Sequence, residues 1–596
     1  MPSLVRIRRL FRDEETHFVQ LTEHFFRRFF ENEFISQGHE ARLTVINALA
    51  LLAVPPILYT FYLVFVYDNI WWNAPEQFSR IAQIDHCRFV TFSMVIIGFV
   101  AVLEWEALFL DRRDYAILIS LPLKGATIFK AKITALLLLL SLFIVDVGAF
   151  PTFFYPCVES MGIRGPEVSR LSLGPHVSFL RLCHMIGAHA IAIIAASAFS
   201  FLLIVAVQGL LLNVLSPRAF KKVSLGVQVD AMIALLFLLL LLPIITNPLP
   251  AWHHAGRAQI LWFPPFWFLG LYETLLGSHD AVFHSLAWIS ILALGLVTLA
   301  CAAGYILNFK RHMQRALEST EAEPAGPSWL AGAAMTLMNH LVLRKPLERA
   351  TFYFVAKTLA RSTKHRLYFG TYVGTGLALA LVGILAALAQ TPHMYFTEVT
   401  SRPTEAMLAI PLIISFFVLS GMRMVFTVPA ELRANWVFQL AEDKNRVDGL
   451  AGARKAMIVP TVLILVALFP LYAYLWGWLP AFMHLVFSLL LSLILVELLL
   501  LNFRKIPFTC SYPSGKANVA VFGVFYLFAF TTYAYTTATF ERWLLQNEIA
   551  WVVFFCLGLL ALAALVMWRK VRLARKFSIL YEDAASPEVQ TLDLST

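Results

Sequence analysis

The chain has 596 residues, 59% of them hydrophobic and 14% charged, with a mean hydropathy of +0.72. Soluble domains carry about 45 to 50% apolar and about 25% charged residues, so a water-soluble fold is excluded. Apolar runs of span length recur from end to end, which makes this an all-α polytopic membrane protein. The net charge of +10 is therefore read by its placement across a bilayer, and no nucleic-acid partner is expected.

Residues 1–42 hold Arg6, Arg8, Arg9 and Arg12 followed by a charged stretch, and the first long apolar run begins only near Leu43. This is not a cleavable signal, so the segment is expected to stay. Phe18, Leu21, Phe25 and Phe29 recur at helical spacing while Glu23, Arg27, Arg28 and Glu31 occupy other faces, the pattern of an amphipathic helix lying on the inner surface.

A crossing helix needs about 20 apolar residues, and on that rule spans are expected near 43–67, 89–110, 133–155, 181–213, 227–247 and 282–308. A second set follows near 367–389, 406–428, 457–474, 482–502, 519–537 and 548–568, about twelve in all. With both termini cytoplasmic, most of the 47 Lys and Arg fall in cytoplasmic segments, as the positive-inside rule requires. The two sets repeat each other. Phe29, Phe30, Arg42 and Leu43 correspond, at a shift of about 324, to Tyr353, Phe354, Arg366 and Leu367. Asp111 to Lys132 matches Glu431 to Lys455, and Asn213 to Val223 matches Asn502 to Lys516. Six spans per half is an even number, so the halves are expected as parallel repeats. The expected organisation is a surface helix at 1–42, six-span halves at 43–316 and 349–576, a cytoplasmic linker at 317–348 and a disordered tail at 577–596. Polar Glu318 to Ser328, with its Pro and Gly, marks the linker.

The first half has longer external loops, Pro156 to Leu180 and Asn247 to Ala281, whereas the second has only Ala538 to Glu548 at the latter place. Within the second of these loops, Ile260 to Leu276 is too short to span and is broken by Pro264 and Pro265. With Trp262 and Trp267 it reads as a re-entrant or surface-lying helix pair.

Catalytic signatures are missing. The nearest string to a phosphate-binding loop, Ser514-Gly515-Lys516-Ala517, has Cys510 where the first Gly belongs and Ala517 where the hydroxyl belongs. No H-E-x-x-H and no G-x-S-x-G occurs. The six cysteines, Cys87, Cys157, Cys183, Cys301, Cys510 and Cys556, show no CxxC spacing, so no metal site is expected, although Cys87 and Cys157 fall near one membrane face and could pair. Asp85, His86 and Cys87 are expected in a loop.

Two cytoplasmic loops carry the functional signal. Asp111-Arg112-Arg113-Asp114-Tyr115 leads into a short apolar helix with Tyr115, Leu118 and Ile119 on one face and Pro122 at its end. In the second half Glu431 and Arg433 precede Trp436, Val437 and Leu440. Aromatic and aliphatic anchors ringed by charge are what a protein-docking surface requires.

The segment Glu104 to Lys132 (EWEALFLDRRDYAILISLPLKGATIFKAK) resembles the permease subunits of type-2 ATP-binding-cassette (ABC) exporters, above all in DRRDYAILISLPL and the following AK. The resemblance implies six spans per half, an N-terminal surface helix, a coupling helix after the second span and re-entrant helices between the fifth and sixth. Glu431 to Lys455 departs from the pattern by lacking the S-L-P element. It further implies that two ATPase subunits on separate chains hold the ATP and Mg, dock on the 111–122 and 431–440 loops, and drive alternating access for an exported substrate across a bacterial inner membrane. This chain would then be no enzyme. The alternative is a twelve-span secondary transporter driven by an ion gradient, whose G-x-x-x-D-R-x-G-R-R loop is absent.

Five charges fall within the expected spans: Glu104, Glu106, Asp146, Arg423 and Glu497. Glu104 and Arg423 occupy nearly equivalent places in the repeat, so that either they pair across the halves or Arg423 snorkels to the headgroups. Asp146, deep in the third span, is expected to face protein or a cavity, and Glu497, opposite Gln208 in the repeat, to be structural.

Overall fold

The computed structural model describes residues 17–29, 39–73, 77–109, 118, 124–162, 177–246, 258–315, 335–340, 342–390, 403–430, 446–503, 505–509 and 519–576. Among them all regular structure is helical, as a bilayer demands of a chain that must satisfy every backbone group within its own segment. The chain divides into two compact units, Met1–Ala322 and Glu323–Thr596.

In the first unit α1 (17–28) is followed by the six long helices α2 (His39–Asn73), α3 (Phe78–Leu103), α4 (Gly125–Gly162), α5 (Phe179–Val214), α6 (Pro217–Thr246) and α8 (Ala281–Arg315), with the short α7 (Pro264–Leu275) before the last. In the second unit α9 (Pro346–Arg361) precedes α10 (Thr363–Gln390), α11 (Glu405–Val425), α12 (Arg446–Trp476), α13 (Trp478–Leu499), α14 (Val519–Thr531), α15 (Thr537–Leu544) and α16 (Glu548–Lys576).

Eleven described helices are long and apolar enough to cross a membrane. The run expected at 519–537 is not among them as a single α-helix, because a π-helical turn at Thr532–Thr536 interrupts it. The turn seats the Tyr533 hydroxyl between Ser415 (3.2 Å) and Ser492 (3.3 Å). Beyond it, α15 puts helix where a loop was expected from Ala538.

Each unit is built round its second span. The most apolar windows of α3 and α11 are 78% and 83% buried, whereas that of α16 is 0% buried. A helix enclosed by protein can carry polar residues that lipid would penalise, and α3 does. Its Ser93 bonds Ser197 of α5 at 2.6 Å, and Ser200 of α5 donates to Met94 O at 2.7 Å. The α3 helix also begins at Phe78, well before the expected start near 89. Asp85, His86 and Cys87 thus lie buried in a helix, not in a loop, because neighbouring helices supply hydrogen-bond partners to Asp85 and His86. Cys87 and Cys157 are both free.

Helix α1 shows the amphipathic pattern read from the sequence: Leu21, Phe25 and Phe29 are buried while Glu23 and Arg27 are exposed and paired with each other. The Lys132 ammonium lies 5.2 Å from the Phe25 ring centroid and 4.8 Å from that of Phe29, a cation–π contact that pins the helix to the third span. The second unit repeats the arrangement with different chemistry. Lys455 of α12 donates to Val342 O (2.9 Å) and to Glu348 of α9 (2.5 Å).

Candidate functional site at the roots of the two loops

The second span ends at Leu103 and passes through a single helical turn, Trp105–Leu108, directly before the loop expected to dock a partner. A helix end leaves its carbonyls without intrahelical donors, and here side chains from the other spans supply them. Gln208 of α5 donates to Trp105 O at 2.6 Å, Lys132 of α4 to Ala107 O at 2.6 Å, and the Tyr305 hydroxyl of α8 to Leu108 O. The Trp105 indole, 2% exposed, donates in turn to Ser224 of α6 at 2.9 Å. Tyr305 also stacks on Phe109, with centroids 4.4 Å apart. The root of the first loop is thereby tied to the third, fourth, fifth and sixth spans, so a push on the loop reaches all of them through short, buried bonds.

The second loop is rooted by backbone. Ala430 N donates to Phe508 O at 3.0 Å, Phe508 N donates to Phe426 O at 3.1 Å, and His365 Nε2 of α10 lies 3.0 Å from Val428 O. Phe508 takes φ +68, a left-handed conformation uncommon for an aromatic residue. Its ring, 1% exposed, is held 4.7 Å from that of His365.

Of the loop residues themselves, Leu118 is helical and buried. Asp111, Arg112, Arg113, Asp114, Tyr115, Ile119 and Pro122 lie outside the described residues, as do Glu431, Arg433, Trp436, Val437 and Leu440.

No protein-family model, curated protein or solved structure matches this chain. The functional reading accordingly rests on its own residues.

The intramembrane charges divide by environment. Glu104 caps α3 and feels Lys132 within its own unit. Arg423 donates from Nε to Leu499 O at 3.1 Å and lies over the Phe503 ring at 4.6 Å. Arg423 is thus met by a helix-end carbonyl of its own unit, and Glu104 lies within electrostatic reach of a lysine of its own. Glu497, 1% exposed, is held by Arg454 and, at 3.1 Å, by Arg569. Asp146 is half-buried, and its Oδ2 has no hydrogen-bond partner among the described residues. The Glu106 side chain lies outside the described residues.

At the opposite end of the first unit, near α7, sits a buried polar cluster that the sequence reading did not assemble. Asp85 accepts from Tyr59 (2.5 Å), Tyr67 (3.0 Å) and Arg88 (2.8 Å). The next residue, His86, meets His189 of α5 with Nδ1 atoms 3.0 Å apart, so one proton lies between the two rings. His86 also stacks on Tyr272 of α7 at 3.7 Å, and the Tyr272 hydroxyl donates to Glu159 at 2.9 Å. Pro264 and Pro265 open α7, where a missing N–H costs nothing, and Trp267 donates to Leu261 O across a short 3-10 turn, Ala258–Trp262. Trp262 itself is 84% exposed. Burial, with Asp280 adding to it, pushes Glu273 of α7 up to about 7.

The second unit fastens α15 similarly. His484 of α13 and Glu541 lie 2.8 Å apart and fully enclosed, and burial raises the Glu541 carboxyl above its ordinary range against the opposing pull of His484. The sequence signal for these groups is weak. Each is a lone polar residue in or beside an apolar run, and only the pairing in space gives it meaning.

Proposed function

We propose that the chain is the membrane-spanning permease subunit of an ABC exporter, cycling between access states under the drive of ATPase subunits on separate chains. One observation carries the reading. The turn preceding the 111–122 loop is bonded by side chains from four other spans, the linkage a loop needs if an external motor is to move a whole helical unit through it. The pinned helix α1 and the short α7 seated beside the sixth span are further features that the resemblance implies. On this reading Tyr115, Leu118 and Ile119 form the first docking face, Trp436, Val437 and Leu440 the second, and ATP with its Mg stays on the partner.

The test is affinity purification of the tagged chain from its native host in mild detergent. An ATPase is expected to co-purify, to be lost from the Tyr115→Ala/Trp436→Ala variant, and to hydrolyse ATP faster with the chain than without it. Recovery of the chain alone, with substrate movement in vesicles that follows an ion gradient and ignores ATP, would sink the proposal. That outcome would favour the ion-driven alternative, for which the buried Asp85, His86, Glu159 and His189 supply titratable groups within spans.

A further inference from the structure

Four arginines from three helices of the second unit converge on the end of α13. Arg423 of α11 is held by Leu499 O and Phe503, Arg454 of α12 and Arg569 of α16 share Glu497, and Arg572 of α16 donates to Asn502 Oδ1 at 3.1 Å. Arg572 also lies over the Trp568 ring, 5.1 Å from its centroid. The last-turn carbonyls of a helix attract a cation, which accounts for Arg423 but not for the whole set. Among the described residues four guanidinium groups face one carboxylate, so three positive charges are left without a protein anion. Among the described residues neither terminal nitrogen of Arg423 makes a hydrogen bond, while its Nε and ring contact fix the plane of the fork.

Among the described residues the first unit builds the equivalent place without arginine. Gln208 stands for Glu497 and Asn213 for Asn502. The amide nitrogens of both bond backbone carbonyls, those of Trp105 for Gln208 and of Gly209 and Gly304 for Asn213. Closing the end of a fourth span therefore does not require arginine. The surplus charge needs another explanation, because cations near a membrane are retained where carboxylates, carbonyls or headgroups meet them, and one carboxylate and one helix-end carbonyl serve this whole set among the described residues.

We propose that this end of the second unit binds the phosphate of an anionic phospholipid. The fixed fork of Arg423 and the half-buried Arg572 offer the planar, bidentate donors that phosphate oxygens match. What selects a lipid over a free phosphate is the wall around them. Met424 beside Arg423 is 50% exposed, Leu498 is 48% exposed and Trp568 under Arg572 is 49% exposed. These apolar surfaces suit acyl chains and would be wasted on an inorganic ion.

The experiment is native mass spectrometry of the full chain, delipidated in detergent and titrated with phosphatidylglycerol or phosphatidylcholine. Phosphatidylglycerol is expected to stay bound and phosphatidylcholine to dissociate. Each of R423Q and R572Q should weaken the anionic lipid about fivefold, the equivalent of about 1 kcal/mol per basic side chain at an anionic surface. R423K, which keeps the charge and loses the fork, should fall between parent and R423Q, and R27Q on exposed α1 should change nothing. Elution of each variant as a single species in size-exclusion chromatography establishes that it is folded. Equal retention of both lipids, parent-like binding by R423Q/R572Q, or displacement of the lipid by excess inorganic phosphate would overturn the proposal.

Discussion

Tyr305→Phe isolates one bond at the root of the first loop. The substitution removes the hydroxyl that donates to Leu108 O and keeps the ring, so the stack on Phe109 at 4.4 Å and the edge contact with Phe129 at 6.1 Å persist. The hydroxyl is lost from a residue only 7% exposed, and the carbonyl it served is left without that donor. A net hydrogen bond is worth about 0.5 to 1.5 kcal/mol and an orphaned buried acceptor costs about 1 to 3 kcal/mol, so a loss of about 1.5 kcal/mol is expected. Tyr305→Leu also removes both aromatic contacts, worth about 0.5 to 1.5 kcal/mol beyond area, and opens space beside Phe109, for a total loss of about 3 to 4 kcal/mol. Reversible unfolding in mixed micelles, followed by tryptophan fluorescence, reads both values. If the Phe variant is indistinguishable from the parent, or as damaged as the Leu variant, the hydroxyl is not what ties the sixth span to the root.

Asp85→Ala should cost about 3 to 5 kcal/mol, the usual penalty for removing one partner of a buried charge pair. Asp85→Ala/Tyr67→Phe should cost less than the sum of its parts, since the hydroxyl stranded by the first change is absent in the second, and strict additivity in the same unfolding assay would refute the bond. Gly270→Ala would place a Cβ 2.4 Å from Leu286 Cβ and 2.9 Å from Phe283 O. Because the backbone cannot yield cheaply, a loss of about 2 to 3 kcal/mol and proteolysis near α7 are expected; wild-type resistance to protease would contradict the packing. Glu273 has a folded pKa of about 7, above its unfolded value near 4.3. The folded chain therefore binds more protons between those limits, so its stability is highest at acid pH and is lost as pH rises through about 7. Glu273→Gln should flatten that slope and raise the melting temperature at alkaline pH, and an unchanged profile would assign the pH dependence elsewhere.

The fold class was legible because a bilayer admits few solutions: length and apolarity alone place most spans. Their edges were less so. The second span was expected from 89 because Asp85, His86 and Cys87 read as loop, yet α3 starts at Phe78. A one-dimensional hydropathy rule charges for polar residues that helix packing has already satisfied. The π turn at Thr532–Thr536 leaves no mark in composition, since one extra residue per turn alters register and not polarity. At the loop roots Trp105 and Lys132 fall within the segment that carries the resemblance, but Gln208, Ser224 and Tyr305 lie far along the chain, and nothing local says that they meet. Phe25 and Phe29 were legible as one face, whereas Lys132 as their cation was not.

The placement of the partners of Asp85 bears on how the chain is made. Tyr59, Tyr67 and Arg88 all belong to the first two spans, so the carboxylate can leave the translocon as part of a helical hairpin already matched in hydrogen bonds and charge. His86 has no such provision. Its ring partner His189 is 103 residues further on, so the histidine pair waits for the fourth span, and the stack on Tyr272 waits for the short helix before the sixth.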